Sequence, residues 1–165
     1  MNDQAKNIVV GVDDAAPSSW ALSVAAGLAA ALDARLTLVH VFVPPVAGIS
    51  EIPLPVDEIC ERLRSESAAL LADARRKVPP EIQVETVIRQ GSPALEIDEV
   101  ARRTAADFVV VGTHGRGRLA TFVLGSTAEA VIRRAPCPVI VVAHEPRPAG
   151  APHGPPVTAT AQVPR

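Results

Sequence analysis

The feature that most constrains the fold is a regular alternation of short β-branched apolar runs with longer amphipathic segments. Apolar runs separated by helix-length crossovers favour a parallel sheet with helices on both faces. The sequence therefore predicts an α/β fold: a doubly wound, five-stranded parallel sheet flanked by helices. The predicted strands cover residues 7–12, 36–43, 82–88, 108–112 and 139–143, and the predicted helices cover residues 17–32, 56–78, 93–103 and 126–134.

Length and composition limit the classes of function. A chain of 165 residues with 48% hydrophobic residues supports one domain with a core. A net charge of -2 and only three Phe, one Trp and no Tyr argue against nucleic-acid binding. The polar residues 1–7 predict no secretory signal, and no apolar run reaches the roughly 20 residues of a membrane helix. The widely spaced Cys60 and Cys137 are expected to be packing thiols in a reducing cytoplasm, without membrane partners.

The carboxyl-terminal segment differs in composition from the rest. Residues 145–165 hold six of the 16 prolines and few apolar residues. Such a segment can bury little surface, so we expect a disordered tail after a folded domain of residues 1–144.

The stretch GTHGRGRLATFVLGST, residues 112–127, follows the apolar run Phe108–Val111. It matches neither GxxxxGK[ST] nor GxGxxG, so the common phosphate-binding patterns fail. Glycines allow outward-facing backbone N–H groups, and Gly125-Ser126-Thr127 begins a helix whose dipole favours an anion. We expect the hydroxyl pair to cap this helix. A phosphate cradle and a purely structural turn both remain open on these residues alone.

The spacing Gly112-x2-Gly115-x9-Gly125-Ser126 resembles, at every fixed position, the G-2x-G-9x-G-S/T motif of the nucleotide-binding branch of the universal stress protein family. The resemblance covers about residues 7–143. It includes the first strand with its terminal aspartate, the second strand, the loop before the third helix and the entry to the last strand. These matches lie at residues 8–13, 36–41, 91–94 and 135–139.

The resemblance implies a Rossmann-like, adenine nucleotide alpha hydrolase-like fold with an ATP site. It places Asp13 beside the adenosine and the backbone of Val41 against adenine. Arg116 and Arg118 would be flexible cations near the triphosphate. The resemblance leaves open whether a Mg²⁺ or Mn²⁺ ion accompanies the nucleotide. One departure is Ala15, where the family often has serine, although Ser18 remains nearby. The full predicted site is Val12, Asp13, Val41, Val111, Gly112, His114, Gly115, Arg116, Gly125, Ser126 and Thr127.

Several of these residues also have a purely structural interpretation. Asp13 could cap the segment that follows it, and His114 could be a solvated loop side chain. His40 lies within a predicted strand and is expected to be a satisfied interior or edge histidine.

The resemblance implies a stress-response regulator that acts through nucleotide occupancy and contacts with an unknown protein partner. Because neither a P-loop lysine nor a metal-binding acidic pair is recognisable, we expect at most slow ATP hydrolysis. The alternatives are a nucleotide-free dimeric interaction protein of the same family and, on a related fold, a nucleotidyl transferase. The apolar Val139–Val142 segment is expected at a sheet edge, pairing with its twin in a homodimer.

Overall fold

The computed structural model describes residues 6–45, 55–113 and 124–143. They include a single five-stranded sheet in which all four strand pairs are parallel. The predicted doubly wound α/β fold is therefore confirmed. Within these ranges, none of the helices has the length and apolar character needed to cross a bilayer. In chain order, the elements are β1 (Asn7–Gly11), α1 (Ala16–Leu32), β2 (Arg35–Phe42), α2 (Val56–Arg76), β3 (Val84–Gln90), α3 (Pro93–Arg103), β4 (Phe108–Gly112), α4 (Ser126–Arg134) and β5 (Val139–Val142).

Eight predicted boundaries differ from the observed ones by one or two residues, and three of these differences have a clear local reason. β3 begins at Val84 instead of residue 82, because the N–H of Ile82 closes a turn onto the Pro79 carbonyl at 3.1 Å. α2 ends at Arg76 instead of residue 78, because the N–H groups of residues 77 and 78 turn back onto the last helical carbonyls. β1 ends at Gly11 instead of residue 12, where a side chain replaces the sheet partner.

Alternate residues of the central strands build two separate layers of core. On one face, Ile8, Val10 and Leu38 pack against the helices α1 and α2. On the other face, Val9 and Val109, among others, pack against α3 and α4. This period of two is the direct result of strand geometry, and burial on both faces explains why these strands are nearly continuous in Val, Ile and Leu.

The order of the strands creates a switch point between β1 and β4. The chain moves outward from β1 through β2 to β3, then returns to the other side of β1 for β4 and β5. Helices that leave such neighbouring strands in opposite directions open a crevice at the carboxyl ends of the strands. β3 and β5 are the two edge strands, and the sequence predicted the edge position of β5.

A buried polar network closes the opposite, amino-terminal end of the sheet. Asn7 is only 1% exposed, and its backbone N–H donates to Asp107 Oδ2 at 2.8 Å. The side-chain carbonyl of Asn7 accepts from the Thr37 hydroxyl at 3.0 Å, and its amide donates to the Thr104 carbonyl at 3.4 Å. Each side-chain polar atom of Asn7 therefore has a partner, as a buried amide requires.

Candidate functional site

A cavity of about 630 Å³ lies at the carboxyl ends of β1, β2 and β4. It occupies the crevice that the switch point predicts. Of the predicted site residues, His114, Gly115 and Arg116 lie outside the described residues, as does Arg118. The others all line this one cavity, although they are spread over more than a hundred positions of the sequence: Val12, Asp13, Val41, Val111, Gly112, Gly125, Ser126 and Thr127.

The Asp13 carboxylate lines the cavity immediately after β1. Its Oδ1 accepts a hydrogen bond from the Ala15 N–H at 2.9 Å, which closes a tight turn before α1. Burial raises the pKa of Asp13 above its ordinary value, with a smaller contribution from the neighbouring Asp14. The hydrogen bond from Ala15 is the largest effect that opposes this shift, and the neighbouring Ser18 and His40 side chains also lower the pKa of Asp13.

Ser18 holds the turn that carries Asp13. Its hydroxyl accepts from the Asp13 N–H at 2.8 Å and donates to the Gly11 carbonyl at 3.4 Å. The residue is buried. Ala15 is the N-cap of α1 and provides no side-chain bond. The hydroxyl of Ser18 thus supports the loop in which the serine of the family motif is replaced by alanine.

The end of β2 presents backbone groups to the same cavity. The Val12 N–H donates to the Val39 carbonyl at 2.8 Å, which is the last ladder bond between β1 and β2. If that parallel ladder continued, the Val41 N–H would bond to the Val12 carbonyl. No such bond forms among the residues that the structure describes. The backbone edge of Val41 is therefore open at the cavity that Val41 lines.

The Val12 carbonyl is bonded to His40 instead. The Nδ1 atom of His40 lies 2.7 Å from that carbonyl oxygen, and the ring is only 8% exposed. A carbonyl oxygen can only accept, so Nδ1 carries the proton. His40 is a satisfied interior histidine, as the sequence predicted. Its place in the cavity wall was missed, because strand position alone does not reveal where a neighbouring strand ends.

The start of α4 corrects one prediction. Gly125 is the N-cap, and Ser126 and Thr127 lie in the first turn without capping the helix. The cause is a bond from the Gly125 N–H to the Thr113 carbonyl at 2.7 Å, which holds the glycine at the boundary. Ser92 is the N-cap of α3, and its hydroxyl likewise makes no cap bond.

The first turn of α4 consequently keeps its own N–H groups available. The first intrahelical bond joins the Glu129 N–H to the Gly125 carbonyl at 3.0 Å. In the described ranges, the N–H groups of Ser126 and Thr127 have no backbone acceptor, and both residues line the cavity. This end of the helix carries the positive pole of its dipole and suits an anion.

The second helix supplies an apolar wall that the sequence did not predict. Leu63, Ser67 and Leu70 of α2 line the cavity, and the buried Ser67 donates to the Leu63 carbonyl at 2.6 Å. Glu66 adds a carboxylate to the same wall. No residue pattern identified which turn of this long amphipathic helix would face the strand ends.

Gly11 allows the floor of the cavity to pack closely. A Cβ at this position would lie 3.1 Å from Ile97 Cδ1 and 3.3 Å from Val111 Cγ1. A glycine inside an apolar strand is the sequence signal for such a close approach. Metal-binding clusters of three or more His, Cys, Asp or Glu side chains are absent from the ranges 6–45, 55–113 and 124–143.

The fold and the site together define an α/β protein with a ligand crevice at the carboxyl edge of a parallel sheet. The sequence matches the model of the Universal stress protein family over residues 4–143. The chain belongs to the universal stress protein family.

Similar proteins share most of the length of this chain. A putative universal stress protein of Staphylococcus epidermidis is 32% identical over 151 residues, covering 87% of each chain. The solved structure of universal stress protein UspA from Lactobacillus plantarum has a TM-score of 0.70 at 28% identity and covers 86% of this chain and 99% of its own. A universal stress protein solved in complex with cAMP has a TM-score of 0.63 at 26% identity and covers 86% of this chain and 98% of its own.

Proposed function

We propose that this protein binds ATP in the cavity at the strand ends and acts as a cytoplasmic stress-response regulator through nucleotide occupancy and contacts with protein partners. One observation carries the proposal. A carboxylate, an open backbone edge and a free helix N-terminus, each from a different part of the chain, converge on one cavity of about 630 Å³. This volume lies in the range of small-molecule sites, about 300–1,000 Å³.

The chemistry of the lining matches the three parts of an adenine nucleotide. The Val41 N–H and C=O offer a donor and an acceptor on one edge, which complements the ring nitrogen and exocyclic amine of adenine. The Asp13 carboxylate suits the hydroxyls of ribose and would repel a phosphate. The N–H groups of Ser126 and Thr127 suit the phosphates. The cAMP complex of the structural neighbour supports a ligand of this class.

The lining favours binding over rapid hydrolysis. Within the described part of the chain, Asp13 and Glu66 are the carboxylates at the cavity, and the lining includes neither lysine nor arginine. Efficient phosphoryl transfer needs a held metal ion, a positioned nucleophile and stabilisation of the developing charge. We therefore propose at most slow ATP hydrolysis.

We also propose a homodimer formed through β5. The strand lies at a sheet edge, and Ile132 on the adjacent helix α4 is 47% exposed. Antiparallel pairing of two β5 strands about a twofold axis would satisfy both edges and cover this apolar surface.

Calorimetric titration with ATP, with and without Mg²⁺, tests the central proposal. Nucleotide extracted from freshly purified protein is identified by chromatography, and product ADP is followed over hours. We expect saturable binding of ATP, weaker binding of GTP and little ADP. Absence of binding by a folded dimer would favour the nucleotide-free interaction protein, and rapid ADP release would establish an ATPase.

A further inference from the structure

We infer that His40 is a positioning residue of the nucleotide site. Its imidazole bonds to the Val12 carbonyl and thereby ends the β1–β2 ladder before Val41. The backbone of Val41 is then free to bind the base. This inference rests on the proposed function, because it assigns the adenine-recognition edge of that site to a single side chain.

The first step follows from the direction of backbone groups along β2. The Leu36 N–H donates to the Gln83 carbonyl at 2.8 Å, and the Phe42 carbonyl accepts from Gly91 at 3.0 Å. Even-numbered residues of β2 therefore point their backbone groups toward β3. Odd-numbered residues point toward β1, as the bond between Val39 and Val12 demonstrates. The N–H and C=O of Val41 share that direction.

The second step concerns what a continued ladder would do. In the parallel register of Gly11 with Val39, the next pair would join the Val41 N–H to the Val12 carbonyl. Both backbone groups of Val41 would then be consumed by the sheet. Instead, the Val12 carbonyl is bonded to the side chain of His40, the residue that precedes Val41 on β2.

The third step concerns cost. A carbonyl left without a partner at a buried strand end is unfavourable, so β1 could not stop at Gly11 unless another donor replaced the Val41 N–H. His40 is that donor, at 2.7 Å and nearly buried. The same bond fixes Val12 immediately before Asp13, whose N–H is held separately by Ser18. One imidazole thus organises the ends of two adjacent strands.

Amide hydrogen exchange of the ligand-free protein tests the inference without relying on nucleotide binding. The Val41 amide is expected to exchange at least about tenfold faster than the Val39 amide, which is bonded within the ladder. In His40→Leu, which removes the donor, the Val41 amide should close onto Val12 and slow to the rate of Val39. In His40→Asn, whose side-chain amide can replace Nδ1, it should stay fast.

Base selectivity provides the second readout, which a general loss of packing would not move. The parent should prefer ATP over purine riboside triphosphate, which lacks the 6-amino group, by on the order of tenfold. His40→Leu should reduce this ratio toward one, and His40→Asn should restore it. The inference is overturned if the Val41 amide of the parent is as protected as the Val39 amide. It is also overturned if a folded His40→Leu variant keeps the full selectivity for ATP. If the parent binds neither nucleotide, the proposed function fails, and exchange at Val41 still decides the role of His40.

Discussion

Replacing Asp13 separates its role in the local turn from its proposed role toward the ligand. Asp13→Asn retains an oxygen that can accept from the Ala15 N–H, as Oδ1 does at 2.9 Å in the parent. Asp13→Ala removes that acceptor. Both variants remove the carboxylate whose burial raises its pKa. The pair of variants is therefore a matched test of the turn against the charge.

The loss of one hydrogen bond of this kind costs about 1 kcal/mol net, so Asp13→Ala should melt about 3 °C below Asp13→Asn. The folded protein holds the Asp13 proton more tightly than the unfolded chain, because burial raises the folded pKa. This contribution to stability is present below the ordinary carboxyl pKa and is lost as the pH rises through the raised value. Relative to Asp13→Asn, the parent should therefore lose stability above about pH 4 and reach a constant difference once the carboxylate is ionised.

Ligand affinity should move differently from stability. A hydrogen bond from a ribose hydroxyl to a carboxylate contributes about 2 kcal/mol, so both variants should bind adenosine about thirtyfold more weakly. The measurements are thermal unfolding between pH 4 and pH 8 and adenosine titration by calorimetry. If both variants bind adenosine like the parent, while Asp13→Ala alone is destabilised, then Asp13 is only a cap for the turn and the assignment to the ligand is wrong.

Two further substitutions test the phosphate end and the proposed dimer. Gly125 has φ of -62° and ψ of 150°, which any residue can adopt, so Gly125→Val should preserve the circular dichroism spectrum. The same variant should abolish ATP binding in calorimetry. Unchanged affinity would contradict the role of the helix start. The carbonyls of Pro138 and Val142 point toward β4, so Val141 points its N–H outward at the sheet edge. Val141→Pro should thus give a folded monomer by light scattering. The control Ile140→Pro should damage the β4 pairing and lower the thermal midpoint. A folded Val141→Pro dimer would exclude pairing through β5.

The sequence was sufficient for the order and type of the elements, because continuous β-branched runs and amphipathic segments report burial directly. It also identified the residues that strand ends bring together, such as Asp13 and Gly125. It could not reveal the contribution of Ser67 and its neighbours, because an amphipathic helix can present any of several turns to a strand end. It also misplaced the cap of α4, because the deciding bond joins Gly125 to Thr113, which is distant from it in the sequence.

The buried network around Asn7 gives the two ends of the sheet different tolerances to change. At the amino-terminal end, Asn7 has a partner inside the protein for each of its side-chain polar atoms, so a substitution there leaves buried polar groups without a partner. At the carboxyl-terminal end, groups such as the Val41 backbone are directed at a cavity, and folding does not depend on satisfying them from within. A protein built in this way can exchange one ligand for another by changing a few residues at one rim, while the opposite rim keeps the strands in register.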